Sequence, residues 1–152
     1  MSRDGSLHAS VVLVGERGVL VRGRPGSGKS ALVLALIDRD PAGTTLVADD
    51  RANVSAANGR LMASVPDALA GRIEIRGQGI DRRPHVSPAA IDLVVDLLPL
   101  QECPRLPSDD EAVTEIAGVA LPRLCLPIGA AATDAALRVR PALDRRDRIT
   151  RY

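Results

Sequence analysis

Short apolar runs separated by turn residues make up most of the first hundred positions of the chain. They are rich in Val, Leu and Ala, which is typical of strands buried within a sheet. Four of these runs predict strands, at 8–14, 18–22, 44–48 and 91–98. Residues 31–39 are instead an apolar helix former, and this segment ends just before Pro41, which cannot continue a helix. The pattern predicts a hairpin over 8–22 that leads into a helix and then into a further strand.

Weaker patterns predict the remaining elements. Asn58-Gly59 favours a tight hairpin turn between strands over 54–57 and 60–65, and polar and apolar residues alternate over 72–76, as in a half-exposed strand. After 77–79 the sequence predicts a loop rich in Arg and Pro, and a second, proline-broken loop follows over 99–110. The last segments predict a strand over 121–128 and a helix from Thr133. This helix is interrupted or bounded at Pro141 and has a charged end over 144–151. Together these elements predict an α/β fold, with a mixed β-sheet and flanking helices, as a single domain over 1–152.

One glycine-rich segment matches the phosphate-binding pattern G-x-x-x-x-G-K-[ST] in full. Residues 23–30 read G-R-P-G-S-G-K-S between a predicted strand and a predicted helix, which is the order that a P-loop needs. Glycines let the backbone turn its N–H groups towards an anion, and Lys29, the only lysine in the chain, supplies an ammonium for the β- and γ-phosphates. The predicted nucleotide-binding residues are Gly23, Arg24, Pro25, Gly26, Ser27, Gly28, Lys29, Ser30 and Ala31.

The same segment predicts a metal ion beside the nucleotide. The Ser30 hydroxyl is placed to contact the Mg²⁺ that bridges the phosphates in P-loop proteins. The chain contains no Asn-Lys-x-Asp segment of the kind that reads guanine, which argues against a GTPase.

Two candidate carboxylate sites complement the P-loop. Asp49-Asp50 follows the strand over 44–48, where an acid close to the γ-phosphate accepts the proton of an attacking hydroxyl. Asp96 ends an apolar run of Walker B type, where it would hold Mg²⁺ while water attacks. The alternatives are a solvated turn for the acidic pair and an arginine ion pair for Asp96. These residues leave open a kinase, a plain NTPase or small-molecule kinase, and a nucleotide-sensing module without turnover.

Glu74 and Arg76 form a further candidate pair. Side chains alternate along a strand, so the two lie on one face, next to the Gly77-Gln78-Gly79 loop. They either bind metal and phosphate respectively or form a surface ion pair.

Composition excludes several classes of function. Tyr152 is the only aromatic residue, so no platform exists for stacking single-stranded bases, and the formal net charge of +1 argues against a polyanion-binding surface. No apolar run approaches the roughly 20 residues of a membrane helix. Cys103 and Cys125 lack the paired spacing of a zinc site and favour a reduced, cytoplasmic protein.

Several segments together resemble the catalytic domain of HPr kinase/phosphorylase, the bacterial enzyme that phosphorylates a serine on the phosphocarrier protein HPr. The shared segments are L-H-A at 7–9, G-V-L-V at 18–21, the P-loop ending G-K-S at 28–30, L-V-A-D-D-R at 46–51 and E-I-R-G-Q-G-I at 74–80. The resemblance covers about residues 7–100, and residues 100–152 diverge.

The resemblance implies roles for individual residues. It implies ATP with Mg²⁺ as cofactors, catalytic roles for His8, Lys29, the Asp49-Asp50 pair and Arg105, and metal ligation by Ser30 and Glu74. We add Arg76 as the alternative to Arg105 for offsetting charge in the transition state, and Asp50 as a further metal ligand. Within the acidic pair, Asp50 is the expected base for phosphorylation and the acid for the reverse reaction. The expected partner is an HPr-like phosphocarrier, without nucleic acid or membrane. The family's phosphorolysis and hexameric assembly are left open, because its basic glycine-containing segment is not recognisable in 127–132.

Overall fold

The computed structural model describes residues 5–149 of the chain, with side chains up to residue 145. Over this part the chain forms eleven strands, two α-helices and two 3₁₀ turns. The strands are β1 Gly5–Leu7, β2 Ala9–Val14, β3 Arg17–Arg22, β4 Thr44–Ala48, β5 Ala52–Ala57, β6 Arg60–Ser64, β7 Arg72–Ile75, β8 Gly79–Arg82, β9 Ala89–Leu98, β10 Val113–Ile116 and β11 Val119–Pro127. The helices are α1 Lys29–Arg39 and α2 Ala132–Ile149, and the 3₁₀ turns are Asp67–Leu69 and Leu100–Glu102.

Nine of these strands form one sheet around β9. The order is β1-β5-β6-β9-β3-β2-β4, with β11 also on β9 and β10 on β11, while β7 and β8 form a separate two-stranded ribbon. β9 pairs parallel with β3 and β11 but antiparallel with β6. This mixture of directions, with helices packed on the sheet, confirms the predicted α/β fold and the hairpin of β2 and β3.

Both faces of the central strands are covered. Along β3, Val19 and Val21 pack with α1 and α2 on one face, while Leu20 packs with β5, β6 and β10 on the other. β9 alternates in the same way, with Val95 on the helical face and Val94 on the opposite one. Continuous apolar runs are therefore the expected pattern for these strands, because each side of the pleat is buried.

The structure corrects two predictions of secondary structure. The segment after 77–79 is not a loop, since β8 pairs with β7; all four β8 residues are exposed, so no apolar pattern marks the strand. α2 continues through Pro141 rather than stopping there. Pro141 lies on the exposed side of the helix, where its missing N–H breaks one bond of the helix, while buried Val139 and Leu143 hold the helix on the sheet. The predicted charged helix end includes residues 150 and 151, which lie outside the described part.

Candidate active site

The predicted site residues meet at one edge of the sheet. β3 and β4 both pair antiparallel with β2, so they run in the same direction and their carboxyl ends lie at the same edge. The glycine-rich loop follows β3 at that edge, and Asp49 and Asp50 follow β4. The sheet therefore brings the phosphate-binding segment and the acidic pair together.

A pocket of about 550 Å³ opens beside the glycine-rich loop. It is lined by Pro25, Gly26, Gly28, Lys29, Ser30, Ala31, Leu34, Asp50, Glu74, Ile75 and Arg76. Gly26 and Gly28 have φ angles of 80° and 105°, in the left-handed region that favours glycine. Gly28 precedes α1 and no side chain caps the helix. The first main-chain N–H groups of α1 thus have no intrahelical acceptor and suit an anion.

Lys29 is buried at the base of this loop. Its ammonium Nζ donates hydrogen bonds to the carbonyl oxygens of Gly23, at 2.9 Å, and Arg24, at 3.1 Å. Oδ1 of Asp50 lies 3.8 Å from the same nitrogen. The one lysine of the chain is therefore held between the loop backbone and the acidic pair.

Asp49 is a buried hydrogen-bond acceptor that joins three elements. Its Oδ1 accepts the hydroxyl of Ser10 in β2, at 2.9 Å, and the hydroxyl of Ser30 in α1, at 2.6 Å. Its Oδ2 accepts the main-chain N–H of Glu74 in β7, at 3.0 Å. Both oxygens are thus engaged, and Asp49 does not line the pocket. The carboxylate beside the Ser30 hydroxyl is that of Asp49, whereas the sequence analysis listed Asp50 as the metal ligand of the pair.

Asp50 points the other way. Its side chain is 67% exposed and lines the pocket opposite Lys29. Its φ angle of 63° lies in the left-handed region, where a residue other than glycine is uncommon, and its N–H donates to the Ser10 hydroxyl at 3.0 Å. Of the two acids, Asp50 is the one that can reach a molecule in the pocket.

Glu74 and Arg76 line the same pocket from the β7–β8 ribbon. A Cβ added at Gly26 would lie 3.6 Å from the Arg76 guanidinium, which places that charge over the glycine-rich loop. Within the described residues no ion pair joins Glu74 to Arg76. β7 ends at Ile75, which lines the pocket as well, so Arg76 lies in the turn beyond the strand and the shared strand face stays a prediction.

The family model described as HPr Serine kinase C-terminal domain matches residues 1–142 of the chain. The chain belongs to this family. The HPr kinase/phosphorylase of Clostridium acetobutylicum is 33% identical over 138 residues, which cover 84% of this chain and 44% of that protein. The HPr kinase/phosphorylase of Clostridium tetani is 39% identical over 80 residues, covering 53% of this chain and 25% of that protein. The chain thus spans less than half the length of these relatives.

A solved structure shares the fold of this HPr kinase family domain. The Hpr(Ser) kinase/phosphatase from Coxiella burnetii superposes with a TM-score of 0.75 and 29% sequence identity, covering 96% of this chain and 97% of that one. The mixed sheet with two helices is therefore a fold that this family is known to adopt.

The donor set of the pocket fits a nucleotide with a metal ion. Main-chain N–H groups, one ammonium and one guanidinium face it, which suits phosphate oxygens. Among the described side chains, residues 5–145, no group of three or more His, Cys, Asp or Glu forms a metal site. Mg²⁺ needs no such cage, because it takes one or two carboxylates and completes its shell with phosphate oxygens and water.

Besides Asp49, two more residues of the predicted catalytic set, His8 and Arg105, lie outside the pocket lining. His8 is exposed at the bend between β1 and β2, next to Ala9, which pairs with Arg22 just before the glycine-rich loop. Arg105 is exposed in the loop between β9 and β10. His8 thus sits at the edge of the site, whereas the structure does not bring Arg105 to it.

Asp96 is an ion-pair partner of two arginines. Arg22 contacts both carboxylate oxygens, at 2.8 and 2.9 Å, and Arg123 donates to Oδ2 at 2.6 Å. Burial alone would raise the pKa of Asp96, but the hydrogen bonds and charges of the two arginines outweigh it and leave this pKa below its ordinary value. Both oxygens are occupied, so the ion pair, rather than a metal ligand, is what the structure contains.

Ser10 is the site residue that the sequence patterns missed. It is fully buried in β2 and touches both members of the acidic pair. A single hydroxyl within an otherwise apolar run was the available sign, since a buried polar side chain normally has a specific partner.

The described part of the chain contains no helix that is both long and apolar enough to cross a membrane.

Proposed function

We propose that this chain is an ATP- and Mg²⁺-dependent serine kinase that phosphorylates an HPr-like phosphocarrier protein. The observation that carries the proposal is a pair of contacts by which two P-loop side chains meet the two adjacent acids. Asp50 Oδ1 lies 3.8 Å from the P-loop ammonium, and Asp49 Oδ1 lies 2.6 Å from the P-loop hydroxyl of Ser30. One acid is thus free to face a substrate while the other is fixed at the metal-binding hydroxyl.

The nucleotide and metal have assigned places in this proposal. Residues 23–31 would hold the phosphates of ATP, and Ser30, Asp50 and Glu74 would hold Mg²⁺. ATP supplies the phosphoryl group, and Mg²⁺ supplies positive charge that offsets the negative charge of the phosphates. Asp49 would keep the Ser30 hydroxyl oriented, because the hydroxyl donates its proton to that carboxylate and leaves its oxygen lone pairs free.

The remaining steps belong to side chains of the pocket. Asp50 accepts the proton of the attacking serine hydroxyl, and its exposure lets an incoming protein loop reach it. Lys29 would release its bonds to the loop carbonyls and neutralise phosphate charge, while Arg76 would offset charge from its place over the glycine-rich loop. The same arrangement serves the reverse reaction with inorganic phosphate when Asp50 is protonated and acts as the acid.

We further propose that the protein is cytoplasmic and works as a homo-oligomer. The family resemblance supports this part, and the mass of the protein in solution, measured with and without the carrier, tests the oligomer.

Phosphoryl transfer from γ-labelled ATP to an HPr-type carrier tests the function. We expect labelled serine with the wild-type protein, and loss of at least about a hundredfold in rate for Asp50→Asn while nucleotide binding is retained. Asp110→Asn is the matched control, because it removes an equivalent charge from an exposed loop residue outside the pocket. ATP hydrolysis without carrier labelling, lost in Asp96→Asn, would favour a plain NTPase. Tight ATP binding without any turnover would favour a nucleotide-sensing module.

A further inference from the structure

The hydroxyl of Ser10 lies at the branch point of the acidic pair. Its side chain is fully buried in β2, where the neighbours Ala9 and Val11 are also fully buried and apolar. The hydroxyl donates to Asp49 Oδ1 at 2.9 Å and accepts the main-chain N–H of Asp50 at 3.0 Å. A serine hydroxyl has one donor and two acceptor positions, so this single group binds both residues at once.

The two bonds act on different parts of the acidic pair. The bond to Asp49 fixes a side chain, together with the bonds from Ser30 and Glu74 to the same carboxylate. The bond to Asp50 fixes a main-chain N–H and therefore the backbone conformation at a φ of 63°. Aspartate tolerates this region only at a cost, so a specific contact is needed to hold it there.

We infer that Ser10 is a positioning residue that turns Asp49 inward to Ser30 and Asp50 outward into the pocket. This inference rests on the proposed function for its catalytic consequence, but its structural part stands apart from it. Adjacent residues in an extended strand point to opposite sides, but here the strand has ended and a left-handed turn sets the direction of Asp50. Without the Ser10 hydroxyl the Asp50 N–H loses its acceptor, and the backbone is free to return to an ordinary conformation.

Ser10→Ala is the variant that tests the inference. It removes the hydroxyl and keeps a small side chain in the strand, and Asp49 retains its bonds from Ser30 and Glu74. We expect the maximal rate of phosphoryl transfer to fall by about 10- to 100-fold. This is the loss of rate that corresponds to the free energy of one hydrogen bond to a charged or strained group. Affinity for the ATP analogue should stay within about threefold, because the loop amides and Lys29 are untouched.

Two further variants separate positioning from a general loss of structure. Ser10→Thr keeps the hydroxyl and should restore transfer to within about threefold of the wild-type rate. Thr44→Val removes another buried hydroxyl from the neighbouring strand β4, at the end opposite the pocket, and should transfer at the wild-type rate.

Hydrogen exchange of the Asp50 amide, measured by NMR on the nucleotide-free protein, tests the inference without any activity. The exposed Asp50 should exchange at least about tenfold faster in Ser10→Ala than in the wild type, and at the wild-type rate in Ser10→Thr and Thr44→Val. If the wild type transfers nothing to a carrier, the proposed function fails and this exchange rate decides the role of Ser10.

Three results would overturn the inference. One is an unchanged Asp50 exchange rate in folded Ser10→Ala. Another is an equal loss of transfer in Ser10→Ala and Thr44→Val. The third is a fall in nucleotide affinity that accounts for the whole loss of rate, since Ser10 would then support the P-loop rather than orient the acids.

Discussion

Replacement of Asp49 by alanine tests the claim that this acid organises the site rather than reacting in it. The substitution removes the acceptor shared by the hydroxyls of Ser10 and Ser30 and by the N–H of Glu74. Because these donors come from β2, α1 and β7, the change should loosen three elements at once. We therefore expect a loss of stability as well as of activity.

The size of the loss follows from how exposed each donor is. The Ser10 hydroxyl is fully buried and cannot turn to water, so it carries the full cost of an unsatisfied donor, about 1–3 kcal/mol. Ser30 and the backbone at Glu74 are partly exposed, so water compensates most of their loss and each contributes about 0.5–1 kcal/mol. The sum is about 3 kcal/mol, which for a chain of this size lowers the melting temperature by roughly 6–12 °C.

Thermal melts followed by circular dichroism measure this effect. Asp50→Asn is the matched control, because the side chain is mostly exposed, its ion-pair distance to Lys29 is 3.8 Å, and asparagine tolerates the φ of 63° as aspartate does. That variant should melt within about 2 °C of the wild type, as expected for a surface substitution. The reasoning is wrong if Asp49→Ala melts with the wild type, or if the two substitutions lower the melting temperature equally.

Two further predictions follow from the arginines. Arg76→Ala should lower the rate of phosphoryl transfer by roughly a hundredfold or more, because the Arg76 guanidinium lies over the P-loop. Arg105→Ala should change this rate by less than about threefold. Steady-state kinetics in which Arg105→Ala loses more activity than Arg76→Ala would contradict the placement of the two arginines. Asp96→Asn should cost about 3 kcal/mol at pH 7, since it leaves two arginines without their carboxylate. The pKa of Asp96 is lowered in the folded state, so its stabilisation is present above the unfolded-state pKa of about 3.9 and disappears as the pH falls through the folded-state value. Urea midpoints of both proteins at several pH values check this. A difference in stability between wild type and Asp96→Asn that persists in strong acid would oppose it.

Local sequence patterns were sufficient for the P-loop and the strands around it. β4 has the predicted bounds. α1 begins at Lys29, within the motif, since the glycine conformation and the uncapped helix start depend only on neighbouring residues. The acidic pair could likewise be located at the end of β4. These predictions needed only the order of neighbouring residues.

The division of labour within the pair needed the tertiary structure. Asp49 and Asp50 are adjacent and chemically identical. Their separate directions depend on Ser10, which lies 39 and 40 residues away from them in the sequence. The pairing of Asp96 with Arg22 also joins residues distant in sequence, across two parallel strands. β8 could not be predicted because none of its side chains is buried.

A crystal structure with a non-hydrolysable ATP analogue and Mg²⁺ is the most direct test of the account. We expect the terminal phosphate to lie at the N–H groups of the first turn of α1 and beside Lys29. Asp50 and Glu74 should face this phosphate, and Asp49 should still be bonded to Ser10 and Ser30. A nucleotide bound elsewhere, or Asp50 turned out of reach of the terminal phosphate, would contradict it.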